Sequence, residues 1–271
     1  VKSPLNKVFF CEVIGTKGDM IDTLFADFKD RLNIAKKYKS ANFIPAIAIH
    51  SPYSVHPFLV RETLKLAREE NLPVTSHFLE SREEFEWLHK DEGAFVEFFK
   101  NFLGQEQSVT KPMEFLNLFS NIKNLSFTHC VEASSADFDK IKLLGASVNH
   151  CVTSNRLLNN TKLDLDRLKD IPFTIGTDGL SSNNSLSMFD ELRNALMAHY
   201  DKNVVEFSKT LLKAATFNGS RALGLNKGVL KESFDADMIS FKLPNKIEDI
   251  NDICMQIILH TKFVDDVIIG G

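Results

Sequence analysis

Pro73-Val74-Thr75-Ser76-His77-Phe78-Leu79-Glu80 is a short strand-like run that stops on a histidine, with a carboxylate three residues further on. A helical pattern follows it over residues 81–102, and a second over 111–120. The same form recurs on both sides. Upstream, runs 8–14 and 43–50 read as strands, each followed by apolar spacing of three and four that predicts helices over 19–39 and 57–70. Downstream, runs 125–130, 147–151 and 172–177 read as strands, with helices over 135–144, 164–170, 187–200 and 203–215. Apolar strands alternating with helices imply a parallel sheet covered by helices.

A doubly wound open sheet and a closed barrel both fit that alternation. The strand ends favour the barrel. His50, His77, His129, His150 and Asp178 each lie at the C-terminal end of a run. In a barrel those ends converge on one mouth, whereas in an open sheet they spread along an edge. After Ala222 the character changes. Runs 236–241 and 263–269 read as strands, so residues 1–222 are expected to form the barrel and 223–271 a small β-rich appendage.

Bulk properties narrow the function. A net charge of -4 and a pI near 6.1, with no block of Lys and Arg, argue against a nucleic-acid partner and for a small molecule. Cys11, Cys130, Cys151 and Cys254 form no close pair and read as buried free thiols of a reducing, cytoplasmic compartment. No apolar run approaches the ~18–20 residues of a membrane span, and no secretion leader is visible.

His77 at a strand end is placed to bind a divalent metal, and Glu80 to move protons over the same mouth; the plain alternative is a chance pair at a helix start. Asp178 in Gly176-Thr177-Asp178-Gly179 is costly to bury without a partner, though many such residues only cap a helix. His56 lies beside the expected mouth, while His89, His199 and His260 receive no role. Trp87 and Phe95, Phe98, Phe99 and Phe102 could stack on a purine, but helical spacing and 23 phenylalanines point to core packing.

His50-Ser-Pro-Tyr-Ser, His77-Phe-Leu-Glu80, Thr128-His129-Cys130, His150 to Asn155 and Gly176-Thr-Asp178-Gly-Leu-Ser-Ser-Asn-Asn occur in order. Together they resemble the amidohydrolase superfamily, in the branch of chlorohydrolases and nucleoside or purine deaminases, across essentially the whole chain. The aromatic stretch after Glu80 is similar to that of the aminofutalosine deaminases of an alternative menaquinone pathway. The resemblance implies a (β/α)8 barrel with His77 and Asp178 as ligands of one divalent metal, zinc or iron. It implies that Asp178 also takes a proton from water, Glu80 protonates the ring nitrogen and His129 hydrogen-bonds the attacking oxygen. His50, His150, Ser181, Asn183 and Trp87 are the substrate-binding candidates.

The chain departs from that pattern by containing no His-x-His, the metal-binding pair at the end of the family's first strand. Run 8–14 resembles the third strand, so the first two strands are expected to be missing, in keeping with a first residue that is not Met. The expected activity is hydrolytic deamination of an adenine-like nucleoside such as aminofutalosine, with release of ammonia. The alternatives are another amidohydrolase (an adenosine-, thio-nucleoside- or guanine-type deaminase or a chlorohydrolase) and a truncated, metal-free binding protein. A homo-oligomer is left open.

Overall fold

All six expected parallel runs form strands: β1 (Lys7–Val13), β2 (Phe43–Ile49), β3 (Val74–Phe78), β4 (Leu125–His129), β5 (Ser147–His150) and β6 (Phe173–Ile175). The computed structural model describes residues 3–271. The strands make one sheet in the order β1-β2-β3-β4-β5-β6. Cα partners Phe10↔Ala46, Ile47↔Val74 and Phe78↔His129 set the parallel register of the first four. Ala46, Ile47 and Ile49 of β2 are all fully buried, as expected of a strand covered on both faces.

The helices are α1 (Ile21–Lys36), α2 (Pro57–Glu70), α3 (Arg82–Lys90), α4 (Ala94–Leu103), α5 (Pro112–Asn117) and α6 (Ser135–Leu143), then α7 (Val152–Leu157), α8 (Met188–Ala198), α9 (Val204–Lys213), α10 (Gly219–Ala222) and α11 (Ile253–His260). Local chemistry sets their ends. In α2, Pro57 begins the helix behind His56, whose Nδ1 accepts from Phe58 N–H at 3.2 Å, and left-handed Asn71 closes it. The helical stretch expected over 81–102 is two helices. Asp91 ends α3 in the left-handed region, and Gly93 follows at φ 87°, where a Cβ would lie 2.6 Å from Glu86 Oε2.

Three further expectations change. Residues 164–170 make only a 3-10 turn, Leu165–Leu168. The helix expected to stop at 215 runs on through a π-helical turn, Ala214–Asn218, into α10. The C-terminal segment has its antiparallel pair, β7 (Met238–Ser240) with β8 (Asp266–Ile268), but also carries α11, which a mostly apolar run concealed.

The chain divides into two units, Val1–Val148 with Leu163–Ile171, and Asn149–Lys162 with Pro172–Gly271. The first is packed around aromatic rings: Phe78, Phe115, Phe119 and Phe127 are fully buried, with centroid separations of 4.9 to 6.4 Å. Each such side chain contributes ~1.5–3 kcal/mol by leaving water. The second is built on α8, α9 and α11, where Leu192, Ala195, Leu211 and Ile258 are buried. There Arg193 donates to the carbonyls of Ile258 (3.0 Å) and Thr261 (2.8 Å), satisfying the open end of α11. Among the described residues, no helix is long and apolar enough to cross a membrane. Cys11, Cys130 and Cys151 are buried thiols, and Cys254 is partly buried.

Candidate active site

In the first unit, β2, β3 and β4 run side by side, so the residues at their C-terminal ends become neighbours. The His50 and His77 rings are 5.2 Å apart, and those of His77 and His129 5.5 Å apart and nearly parallel. His77 Nδ1 lies 2.7 Å from the His50 carbonyl oxygen. A carbonyl only accepts, so Nδ1 carries a proton, and Nε2 is the nitrogen left to bind a cation. His50 Nδ1 meets Ser54 Oγ at 2.6 Å, and Ser54 meets Ser51 Oγ at 2.5 Å. Burial, reinforced by the neighbouring His77, holds the His50 imidazole below its ordinary pKa and so neutral.

Glu80 and His129 face one another, Oε2 to Nε2, at 3.6 Å. The backbone beneath them is unusual. Leu79 (φ 45°), His129 (φ 74°) and Cys130 (φ 54°) are non-glycine residues in the left-handed region. Such strain persists only where surrounding bonds over-determine it. Cys130 N–H donates to Phe78 O at 2.9 Å, and Glu132 N–H donates to Leu79 O at 2.9 Å. Glu84, 1% exposed, accepts from the backbone N–H of Leu79 (3.1 Å) and Glu80 (2.8 Å). Burial pushes its carboxyl up to about 8, although the two N–H donors pull the other way.

The second unit holds Asp178, itself at φ 59°. Its Oδ2 accepts from Ser154 (2.7 Å) and Ser182 (3.0 Å), and its Oδ1 from the Gly179 N–H (2.7 Å). Asn183 is buried and donates to Thr177 O at 2.6 Å and to Glu191 Oε2 at 3.2 Å. Asn183 therefore braces the loop around Asp178, while Ser181 is exposed.

Two substrate-binding candidates are absorbed by packing. His150 is fully buried with its Nε2 3.0 Å from His199 Nε2, which gives His199 a structural part that the sequence had not assigned it. Trp87 is fully buried and stacked on Phe99 at 4.8 Å with rings within 5° of parallel. Sequence reading gave no role to Glu84 or Ser154. Glu84 had a signal, because Ser81-Arg82-Glu83-Glu84 is the spacing of a capping box. Ser154 had none of its own, because α7 was not foreseen.

The donor chemistry suits a divalent cation. His77 offers an imidazole whose other nitrogen is fixed by a carbonyl, the usual outer-shell arrangement of a metal-binding histidine. Asp178 offers a carboxylate oriented by two hydroxyls and an amide. In their own surroundings both residues fit the ligand roles that the resemblance gives them.

Relatives are consistent with this geometry. The chain is 42% identical over 271 residues to the aminodeoxyfutalosine deaminase of a Nitratiruptor species, covering 100% of this chain and 67% of that protein. It is 35% identical over 279 residues to the adenosine deaminase of Helicobacter pylori, covering 100% of this chain and 66% of that one. The crystal structure of Helicobacter pylori aminofutalosine deaminase superposes with a TM-score of 0.93 at 32% identity, over 100% of this chain and 68% of that one. The chain thus spans about two thirds of the length of these relatives. The Amidohydrolase family profile matches residues 16–271. The chain belongs to the amidohydrolase family.

Proposed function

We propose that this chain carries most of the active site of a metal-dependent deaminase that replaces the ring amine of an adenine-type nucleoside with oxygen and releases ammonia. The observation that carries the reading is the Glu80–His129 pair beside His77 at the ends of three neighbouring parallel strands. His77 and Asp178 are the residues of this chain that would hold the ion. A bound divalent cation supplies hydroxide near neutral pH by lowering the pKa of water. Asp178 takes up the proton that the water gives up. Glu80 delivers a proton to the ring nitrogen beside the attacked carbon, and His129 donates a hydrogen bond to the incoming oxygen. With the ring nitrogen protonated, the amine leaves as ammonia once it has taken the proton that Asp178 accepted, and the proton of the added hydroxyl returns to Glu80.

The finer reading is an aminofutalosine-type substrate, taken as an adenine nucleoside extended at its ribose end by an aryl group. A cavity of about 470 Å³ in the first unit supports it. Its walls include Met20, Leu24, Phe98 and Phe102, and it reaches His50 and Tyr53. An apolar substituent would leave water there, whereas unsubstituted adenosine would leave the cavity wet. The test compares kcat/KM for adenosine and for an adenosine bearing an aryl group on the ribose end, before and after Phe98→Ala. The half-exposed Phe98 ring should contribute ~3–10-fold, and only to the aryl substrate. An equal loss for both substrates would remove the cavity from the substrate site.

A further inference from the structure

We infer that Glu84 is a positioning residue for Glu80, its carboxyl group in the first turn of α3 fixing the Leu79–Glu80 backbone so that the Glu80 side chain is delivered to His129. The inference rests on the deaminase reading for its catalytic consequence.

A capping glutamate at this position of a helix ordinarily returns to the N–H of the capping residue. Ser81 does its own part here, its Oγ accepting from Glu84 N–H at 3.2 Å. The Glu84 carboxyl group instead reaches past Ser81. One oxygen takes the N–H of Leu79 and the other the N–H of Glu80. Those two residues join the end of β3 to the proton carrier. Leu79 is left-handed at φ 45°, a conformation that a leucine rarely adopts. It is held from three directions: its N–H by Glu84, its carbonyl by the Glu132 N–H, and its side chain by complete burial. With the Glu80 N–H also held, only side-chain rotations remain to aim the Glu80 carboxylate. Glu84 is itself 1% exposed and cannot touch a ligand, so any effect it has on turnover passes through Glu80. A carboxyl group suits the task because it brings two oxygens, one to each N–H donor.

The test is a double-mutant cycle on metal-loaded protein with adenosine as substrate, combining Glu84→Gln with Glu80→Gln. Glutamine keeps the shape but offers one acceptor to two donors. Glu84→Gln alone should lower kcat on the order of 10–100-fold, the penalty for a displaced catalytic group, with KM within about threefold. In the Glu80→Gln background it should cost less than about twofold, because there is no proton carrier left to misplace. Equal losses in both backgrounds would overturn the inference, marking Glu84 as a purely structural residue. Amide hydrogen exchange gives a second readout, independent of turnover. Leu79 and Glu80 should lose protection in Glu84→Gln while β4 keeps it, and unchanged protection would overturn the inference. If Glu84→Gln does not melt cooperatively, Glu84→Asp, which keeps the carboxyl group but is one methylene short, takes its place in both experiments. Should the parent protein leave adenosine and its aryl derivative untouched, the deaminase reading fails, and the exchange result alone decides whether Glu84 holds this backbone.

Discussion

The carbonyl oxygen of His50 accepts two hydrogen bonds from His77, one from its backbone N–H at 3.0 Å and one from Nδ1 at 2.7 Å. The backbone of β2 thereby selects the tautomer of the residue at the end of β3, leaving Nε2 as the nitrogen to bind a cation. His77→Gln should weaken zinc binding by at least about tenfold, measured by titration with a competing chelator. His50→Ala retains the carbonyl and should weaken it much less. Equal losses would mean that the His50 ring is itself a ligand.

Glu80→Gln keeps shape and polarity but removes the group that carries the proton. A general acid of this kind contributes ~10²–10⁴-fold, so kcat should fall by that order while metal content stays the same. Near-normal turnover by the variant would take Glu80 out of the reaction.

Trp87 separates packing from recognition. Its ring is fully buried against Phe99, so Trp87→Ala should cost ~3–5 kcal/mol in denaturant unfolding. A normal unfolding midpoint with a raised KM would instead mean that the indole touches the ligand.

Glu84 gives stability a pH dependence of defined sign. Burial raises its carboxyl from an ordinary 4.5 to about 8, so between those values the folded protein binds a proton that the unfolded chain releases. Its contribution to stability is therefore full below about pH 4.5 and is lost as the pH rises toward 8. Melting temperatures taken from pH 5 to 8.5 should show this decline, and Glu84→Gln should flatten it. A slope unchanged by the substitution would assign the decline to other groups.

The sheet was legible because its signal is redundant. Each strand is an apolar run bounded by turn residues, and β1 to β6 keep to the runs read from sequence, with β1 and β3 offset by a single residue. Helix ends set by side-chain caps were legible too, as in α2. The break at Asp91–Gly93 was not, because it depends on two residues with positive φ inside an otherwise amphipathic stretch. Helix α11 was hidden because six of its eight residues are apolar, which leaves little period to read. At the site, His77, Glu80 and His129 were visible as strand-end residues, and the structure brings them together. The roles of Glu84 and of Ser154 depend on which backbone or carboxylate their side chains reach, and that is decided by tertiary packing. His150 shows the converse. It has the same strand-end placement as His129, yet it is turned to His199 in a closed interior.

The most direct measurement is ammonia release from adenosine and its aryl-substituted derivative by the metal-loaded protein, with Glu80→Gln as the blank. The account expects ammonia in one-to-one ratio with the oxo-purine product, lost in the Glu80→Gln variant and favouring the aryl substrate. Nucleoside binding by a metal-free protein with no ammonia above the blank would contradict it, and would make the chain a binding protein that has kept the residues of a deaminase.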